Sequence, residues 1–300
     1  MRAINRPFLF LLIGIFGYGV VLGPFTAYMK HKPVEEKLGY VPSVNLLRYV
    51  CADQKEFVGA ALLTKVMMYF GGLMDKHDPN VVTEMPDYLG MSNMIHNALK
   101  LDPYNMDGYY FAQSFLTWDV KQYVIANKLL DYGMKYRTWD WYLPFFAGFN
   151  HAFFLKDYKK AAEYYQRAGE LSGDPLYFSL AGRYMQKSGQ TDLAIIYLSM
   201  LEKGEKNQTV KKNYQIRLAA FKEVRRIELA RDHYIKVGGS LPVTVDTLSR
   251  SGLLSPPPTD PYGGQFYIEA DGKVTTTSKF AFSKAKSNNL KKSGEPDERD

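Results

Sequence analysis

Residues 7–28 contain no charged residue and consist mainly of apolar side chains. A helix of about 20 apolar residues spans the hydrocarbon core of a bilayer, so the run predicts a transmembrane anchor over residues 7–28. Arg2 and Arg6 precede it without an acidic residue. Short N-terminal segments of this kind usually stay in the cytoplasm. We therefore expect residues 1–6 to be a cytoplasmic tail and the bulk of the chain to lie across the membrane.

The same run has two other interpretations, a cleaved signal peptide and a buried helix of a soluble domain. A signal peptide has a shorter apolar region and ends at a small-x-small cleavage site. Here Phe25-Thr26-Ala27 places a bulky residue at the −3 position. We favour an uncleaved anchor and keep both alternatives open.

Residues 33–106 contain helical patterns that do not recur at a constant interval. A short helix is predicted over residues 42–52, a mostly buried helix over 54–74 and another over about 87–100, where apolar and small residues dominate. Asp78-Pro79-Asn80 separates the last two, because proline interrupts helices. We interpret this region as a divergent helical cap or as the first unit of a repeat.

Small residues recur at a nearly constant interval through the middle of the chain. Ala126, Ala161 and Ala194 are 35 and 33 residues apart. A second series follows seven residues later and begins one interval earlier, at Ala98, Gly133, Ala168 and Leu201. Recurrence with a period of 20 to 50 residues is typical of proteins built from one repeated supersecondary unit. The spacing predicts consecutive helical hairpins.

The segment 157–171, with Ala161, Tyr165 and Ala168 at steps of four and three, resembles the second helix of a tetratricopeptide (TPR) repeat. The string Ala98-Leu99-Lys100-Leu101-Asp102-Pro103 resembles the end of such a repeat. The resemblance implies a mostly α fold, a TPR-like helical-hairpin solenoid with its repeats over residues 107–222. Solenoids of this family usually bind other proteins.

In TPR arrays the first helix of each pair lines the concave groove. The resemblance places these residues on that surface as a partner-binding groove: Phe111, Phe115, Trp118, Asp119, Asn150, Phe153, Arg183 and Lys187. They could receive a peptide or an apolar ligand. The alternative is that the aromatic side chains simply pack between helices.

The pattern changes after residue 208. Apolar residues at steps of three and four predict one long helix over residues 209–236, which Gly238-Gly239 would end. The turn sequence Asp271-Gly272 lies between two alternating segments, which is a strong hairpin signal. We expect a small β-hairpin of residues 265–268 and 273–276.

Residues 223–278 resemble the C-terminal part of the major pseudopilin of type II secretion. The resemblance rests on Tyr234, Gly239, Leu241-Pro242, Leu248 and Asp260-Pro261-Tyr262-Gly263-Gly264. The prepilin cleavage motif and the acidic calcium loop of that family are missing, so we expect neither a processed pilus subunit nor a calcium site. Residues 279–300 are polar and charged and predict a disordered tail.

Residue composition and spacing exclude several kinds of functional site. The single cysteine, Cys51, excludes an internal disulfide and a CxxC site. No two of the five histidines lie at helical spacing, and no phosphate loop or nucleophile motif occurs. The net charge of +7 is spread along the chain, whereas nucleic-acid binding needs a basic stripe. We expect no catalytic residues, no metal, no cofactor and no nucleic-acid partner.

The sequence thus predicts a single-pass protein of the bacterial inner membrane, anchored through residues 7–28, with a periplasmic TPR scaffold and a small C-terminal β-hairpin module. It would bind protein partners in an envelope assembly, such as a pilus-like, secretion or surface-polymer export system. The alternative is an aromatic-groove module that binds a small apolar ligand or a glycan and assists an enzyme.

Overall fold

The computed structural model describes residues 6–31, 38–74, 84–238 and 240–280. The protein is mostly helical and contains a small two-stranded antiparallel sheet. It divides into two compact units, Met1–Thr138 and Trp139–Asp300. Four sequence features lie wholly or largely outside the described residues: the tail 1–6, the break at Asp78-Pro79-Asn80, Gly239 and the end of the chain after residue 280.

Helix α1 (Arg6–His31) confirms the predicted N-terminal apolar helix. Its segment Phe8–Met29 has a mean hydropathy of 2.2, and none of it is buried within the described structure. Pro24 lies inside the helix. The length and composition of this helix suffice to cross a membrane.

The rest of the first unit consists of five helices in its described residues. They are α2 (Val44–Cys51), α3 (Lys55–Gly71), α4 (Tyr88–Leu101), α5 (Met106–Ser114) and α6 (Tyr123–Tyr136). A 3₁₀ turn over Ala52–Gln54 joins α2 to α3, and a π-helical turn over Phe115–Asp119 extends α5. Ile95, Tyr109 and Leu130 are among the fully buried side chains of this unit.

Helix α3 departs from its prediction as a mostly buried helix. Only Gly59, Leu63 and Val66 are buried, while Phe57 and Met68 are 71% and 73% exposed. The three buried residues follow one stripe, at intervals of four and three, and this stripe packs against α4. An apolar composition on all sides therefore does not mean burial on all sides.

The second unit begins with α7 and ends with the sheet. Its elements are α7 (Tyr142–Asn150), a π-helical turn (His151–Leu155), α8 (Tyr158–Ser172), α9 (Pro175–Lys187), α10 (Thr191–Gly204), α11 (Gln208–Gly238), α12 (Val245–Arg250), β1 (Phe266–Ile268) and β2 (Val274–Thr276). One core runs from α8 to the sheet and includes Ala161, Leu198, Phe221 and Val274. The predicted long helix and hairpin are confirmed by α11 and by β1 and β2.

Polar side chains cap the start of several helices. Asp87, Asn105, Asp157 and Asp174 each accept a hydrogen bond from a backbone N–H of the first turn, at 2.8 to 3.1 Å. Such caps satisfy N–H groups that have no partner inside the helix. Asp174 is followed by Pro175 at the first helical position, where its fixed φ suits the helix.

The turn between the two helices of a hairpin has the same conformation three times. Lys121, Lys156 and Gly189 have φ of 57°, 56° and 81°, which is the left-handed region. Five residues after each of them comes a fully buried alanine, in the order Ala126, Ala161 and Ala194. The 35- and 33-residue period of the sequence is therefore also a period of backbone conformation and burial.

The C-terminal hairpin pairs Phe266 with Thr276 and Ile268 with Val274. Gly272 in its turn has φ of 86°, in the left-handed region that glycine adopts without strain. Phe280 is 7% exposed and packs its ring against Phe221, with centroids 5.1 Å apart. The folded core thus reaches Phe280, beyond the predicted start of the tail at residue 279.

Candidate functional site

Two of the predicted groove residues are part of the core. Phe115 is 2% exposed and contacts the rings of Phe70, Tyr88 and Phe111 at 5.8 to 6.1 Å. Asn150 is completely buried. Neither side chain is open to a ligand, so for Phe115 the packing interpretation describes the structure better.

The other predicted residues lie nearer the surface. In the first unit Phe111 is half-buried, Asp119 is exposed and Trp118 is 56% exposed. Partial desolvation raises the pKa of Asp119 above its ordinary value. In the second unit Phe153 is 58% exposed, and the Lys156 ammonium lies 5.2 Å from its ring centre.

Arg183 and Lys187, one turn apart on α9, share a large cleft of the second unit. The cleft has a volume of about 690 Å³. We call it the α9–α11 cleft, and its main lining residues are Tyr158, Arg183, Gln186, Lys187, Arg225, Glu228, Arg231, Asp232, Tyr267, Glu269, Lys273, Thr275 and Lys279. Its walls are α9, α11 and the β-hairpin.

Two buried or half-buried hydrogen bonds hold the hairpin against the helices. Gln186 of α9, which is 8% exposed, donates its Nε2 to the carbonyl oxygen of Val274 at 3.3 Å. Arg231 of α11 donates to the carbonyl oxygen of Gly272 in the hairpin turn. The cleft is therefore formed by segments that are distant in sequence and fixed by specific contacts.

Six cationic side chains and three carboxylates are among the described residues that line the cleft. Three of the cations are neutralised by carboxylates: Arg225 by Asp192 and Glu228 at 2.7 and 3.5 Å, Arg231 by Asp232 at 2.6 Å, and Lys273 by Asp271 at 2.8 Å. Arg183, Lys187 and Lys279 form no ion pair with any described residue. Glu269, which also lines the cleft, is a carboxylate without an ion pair to any described residue, so the three unpaired cations give the cleft an excess of positive charge that one carboxylate reduces.

A ladder of tyrosine rings positions Lys187. Its ammonium lies 4.3 Å from the centre of the Tyr158 ring. Tyr158 stacks on Tyr184 at 5.9 Å, and Tyr184 stacks on Tyr165 at 5.5 Å. Burial raises the pKa of Tyr165 well above its usual value, so this ring stays neutral. The cation–π contact restrains Lys187 without neutralising its charge.

Glu228 is an acidic group in the wall of the cleft. It is 8% exposed, accepts a hydrogen bond from the Thr191 hydroxyl at 2.8 Å and lies 3.5 Å from Arg225. Burial raises the pKa of its carboxyl, and the contacts with Thr191 and Arg225 partly oppose this. Glu228 links α10 to α11 from inside the wall.

The arrangement suits binding of an anionic group better than catalysis or metal coordination. Restrained and unneutralised cations beside two exposed or half-buried tyrosines can hold carboxylates or phosphates. Among the described residues no group of three or more His, Cys, Asp or Glu side chains could hold a metal ion. Lys273 and Lys279 were not predicted, because their position depends on where the hairpin docks.

Comparison with known proteins assigns neither a family nor a function to this chain. No protein-family model matches the chain, and no curated protein is significantly similar to it. The function is therefore inferred from the fold and from the cleft.

Proposed function

We propose that this protein is a membrane-anchored scaffold of the TPR type, which binds a protein partner of a bacterial envelope assembly. The observation that carries the proposal is the repeated hairpin, with its left-handed turn residue and buried alanine, beside a helix able to cross a membrane. Stacked helical hairpins expose extended surfaces that suit protein partners. The chain after the anchor would lie in the periplasm of the inner membrane.

The α9–α11 cleft is the proposed contact for an acidic segment of the partner. Arg183, Lys187 and Lys279 offer three positive charges within a concave surface, where opposite charge is attracted more strongly than on an open face. Complementary charge contributes mainly to specificity and to the rate of association. The sequence around Asp260 resembles that of the major pseudopilin, and this analogy favours a pilus-like assembly.

Charge reversal in the cleft tests the proposal. Full-length protein carrying both Arg183→Glu and Lys187→Glu is purified from gently solubilised membranes beside the wild type. Lys206→Glu is the matched control, because this lysine is exposed and lies outside the cleft. We expect one partner to be recovered with the wild type and the control and lost with the double variant. Equal recovery with all three proteins would contradict the cleft as the contact.

The orientation in the membrane has its own test. Alkaline phosphatase fused after residue 40 folds into an active enzyme only outside the cytoplasm, so we expect an active fusion. An inactive fusion, together with activity of a cytoplasmic reporter at the same position, would place the scaffold in the cytoplasm.

A module whose aromatic groove binds a small apolar ligand or a glycan is the second candidate. Trp118 and Phe153 lie within π-helical turns at the ends of α5 and α7 and are both more than half exposed. Single-turn π segments often occur at functional sites. Native mass spectrometry of Trp118→Ala and Phe153→Ala variants separates the candidates, since loss of a bound small molecule supports the module and loss of a protein supports the scaffold.

A further inference from the structure

One face of the first unit, which begins shortly after α1 in the sequence, is apolar and open to solvent. We call it the α2 face, and it consists of Tyr40, Leu46, Tyr49 and Val50. Their side chains are 88%, 52%, 86% and 69% exposed. Leu46, Tyr49 and Val50 are spaced by three and four residues, so they share one side of α2.

The opposite side of α2 is fixed to the rest of the unit. Arg48 is the only charged residue of α2, and its guanidinium donates a hydrogen bond to the carbonyl oxygen of Lys100 at 2.8 Å. Just before α2, the Asn97 amide donates to the carbonyl oxygen of Pro42 at 3.2 Å. Because its one cation bonds to α4, the α2 face itself carries no charge.

The chain length keeps this face near any membrane that α1 crosses. Leu38 is 1% exposed and belongs to the core of the first unit. It follows His31, the last residue of α1, by seven residues, which span at most about 25 Å when fully extended. Tyr40 is only two residues further along. The first unit is therefore held within a short distance of the membrane surface.

We propose that the α2 face docks on the surface of the bilayer that α1 spans. This inference rests on the proposed membrane anchoring and adds a second, peripheral contact. Tyrosines favour the interface between headgroups and acyl chains, where the ring is shielded and the hydroxyl stays hydrated. Leucine and valine beside them enter the same layer, as in helices that lie in the membrane plane.

Four side chains would bind a membrane only weakly on their own. Attachment to an inserted helix makes the second contact intramolecular, with a high effective concentration of surface. The first unit would then be held in a defined orientation to the membrane instead of rotating freely on a linker.

Lipid quenching of a fluorescent probe tests the proposal on the full-length chain. In a Cys51→Ser background, Tyr49→Cys and, in a second protein, Val50→Cys are labelled with bimane and reconstituted into phosphatidylcholine vesicles. The exposed Lys203→Cys in the second unit serves as the control site. Brominated acyl chains should quench bimane at residues 49 and 50 at least twofold more than at residue 203. Circular dichroism confirms that both labelled variants keep their helices.

The outcomes separate this inference from the anchoring itself. Release of the protein by a sodium carbonate wash would show that α1 does not span the membrane, and both proposals would fail. Retention of the protein with quenching no greater than at residue 203 would overturn only the docking of the α2 face. Protection from aqueous iodide without quenching by brominated lipid would mean that protein covers the face, which also overturns it.

Discussion

Replacing Asp260 with alanine should release the C-terminal hairpin from the second unit. The Asp260 carboxylate is 5% exposed and accepts hydrogen bonds from the Tyr262 N–H at 2.9 Å, from the Ser278 hydroxyl at 2.6 Å and from the Thr276 hydroxyl. It therefore joins the turn before β1 to the residues in and after β2. A β-carbon on Gly264 would come within 2.7 Å of this carboxylate, so a larger residue cannot replace glycine at this position.

The magnitude follows from the three hydrogen bonds. A hydrogen bond to a charged group contributes about 1.5–3 kcal/mol, and a buried partner left without its bond adds a further cost. The three hydrogen bonds share one carboxylate, so their contributions do not simply add, and the hydration that this carboxylate loses on burial offsets part of them. We therefore expect Asp260→Ala to destabilise the docked hairpin by about 3–5 kcal/mol. Since about 1.4 kcal/mol corresponds to a factor of ten, the open form of the hairpin should become at least about a hundredfold more populated.

Amide hydrogen exchange with mass spectrometry measures that population in the full-length protein in detergent. The peptide of interest covers residues 265–277, which include the Glu269 and Thr277 amides bonded across the hairpin. Asp271→Asn is the matched control, because Asp271 is exposed in the hairpin turn and asparagine keeps an oxygen for the Lys273 N–H. We expect less than a tenfold change for the control.

Exchange within about threefold of the wild type in Asp260→Ala would refute this reasoning. It would show that apolar packing, and not the hydrogen bonds of Asp260, holds the hairpin. Asp260→Asn keeps one acceptor oxygen and should give an intermediate rate.

Three further substitutions probe the second unit by thermal or chemical denaturation of the full-length chain. Gly189→Ala should destabilise the second unit by about 1 kcal/mol, because φ of 81° is strained for alanine even though a β-carbon there would meet no atom. Gly204→Ala is the control and should not destabilise it, because Gly204 lies in helical backbone. Phe280→Ala should cost about 3–5 kcal/mol and Val243→Ala, at an 86% exposed position, close to nothing. Burial raises the pKa of Glu228, so the native state binds the proton of this carboxyl more tightly than the unfolded state does. The free energy of unfolding should therefore fall as the pH rises from about 4.3, the ordinary value for glutamate, through the raised pKa. Glu228→Gln should remove this dependence on pH.

Local signals in the sequence sufficed for elements that depend on neighbouring residues. The uncharged run predicted α1, the three- and four-residue steps predicted α11, and Asp271-Gly272 predicted the hairpin turn. The spacing of Ala126 and Ala161 anticipated the repeated turns, because a buried crossing point admits only small side chains.

The groove residues were harder to predict for a geometrical reason. Their spacing assumed an unbroken α-helix, but α5 and α7 both end in π-helical turns, which widen the turn and shift the faces of the following residues. Phe111 and Phe115 are neighbours as in any α-helix, with parallel rings 6.1 Å apart, whereas Trp118 beyond them is 56% exposed. Asn150 and Phe153 separate in the same way, one buried and the other exposed.

The cleft shows a second limit of sequence patterns. Arg183 and Lys187 follow from the helical period of α9. Lys279 joins them only because the hairpin docks against α9 and α11, through contacts such as that of Gln186 with the Val274 carbonyl. The two residues of this contact are 88 positions apart in the sequence, so no pattern of neighbouring residues predicts it.

Photo-crosslinking in intact membranes would decide whether the α9–α11 cleft binds a partner. Tyr267 lines the cleft and is 43% exposed, so a benzophenone side chain can replace it without entering the core. We predict one crosslinked protein product that disappears when Arg183 and Lys187 are both changed to glutamate and persists with Lys206→Glu. A product that survives charge reversal in the cleft, or the absence of any product from Tyr267 in native membranes, would contradict a scaffold that holds its partner there.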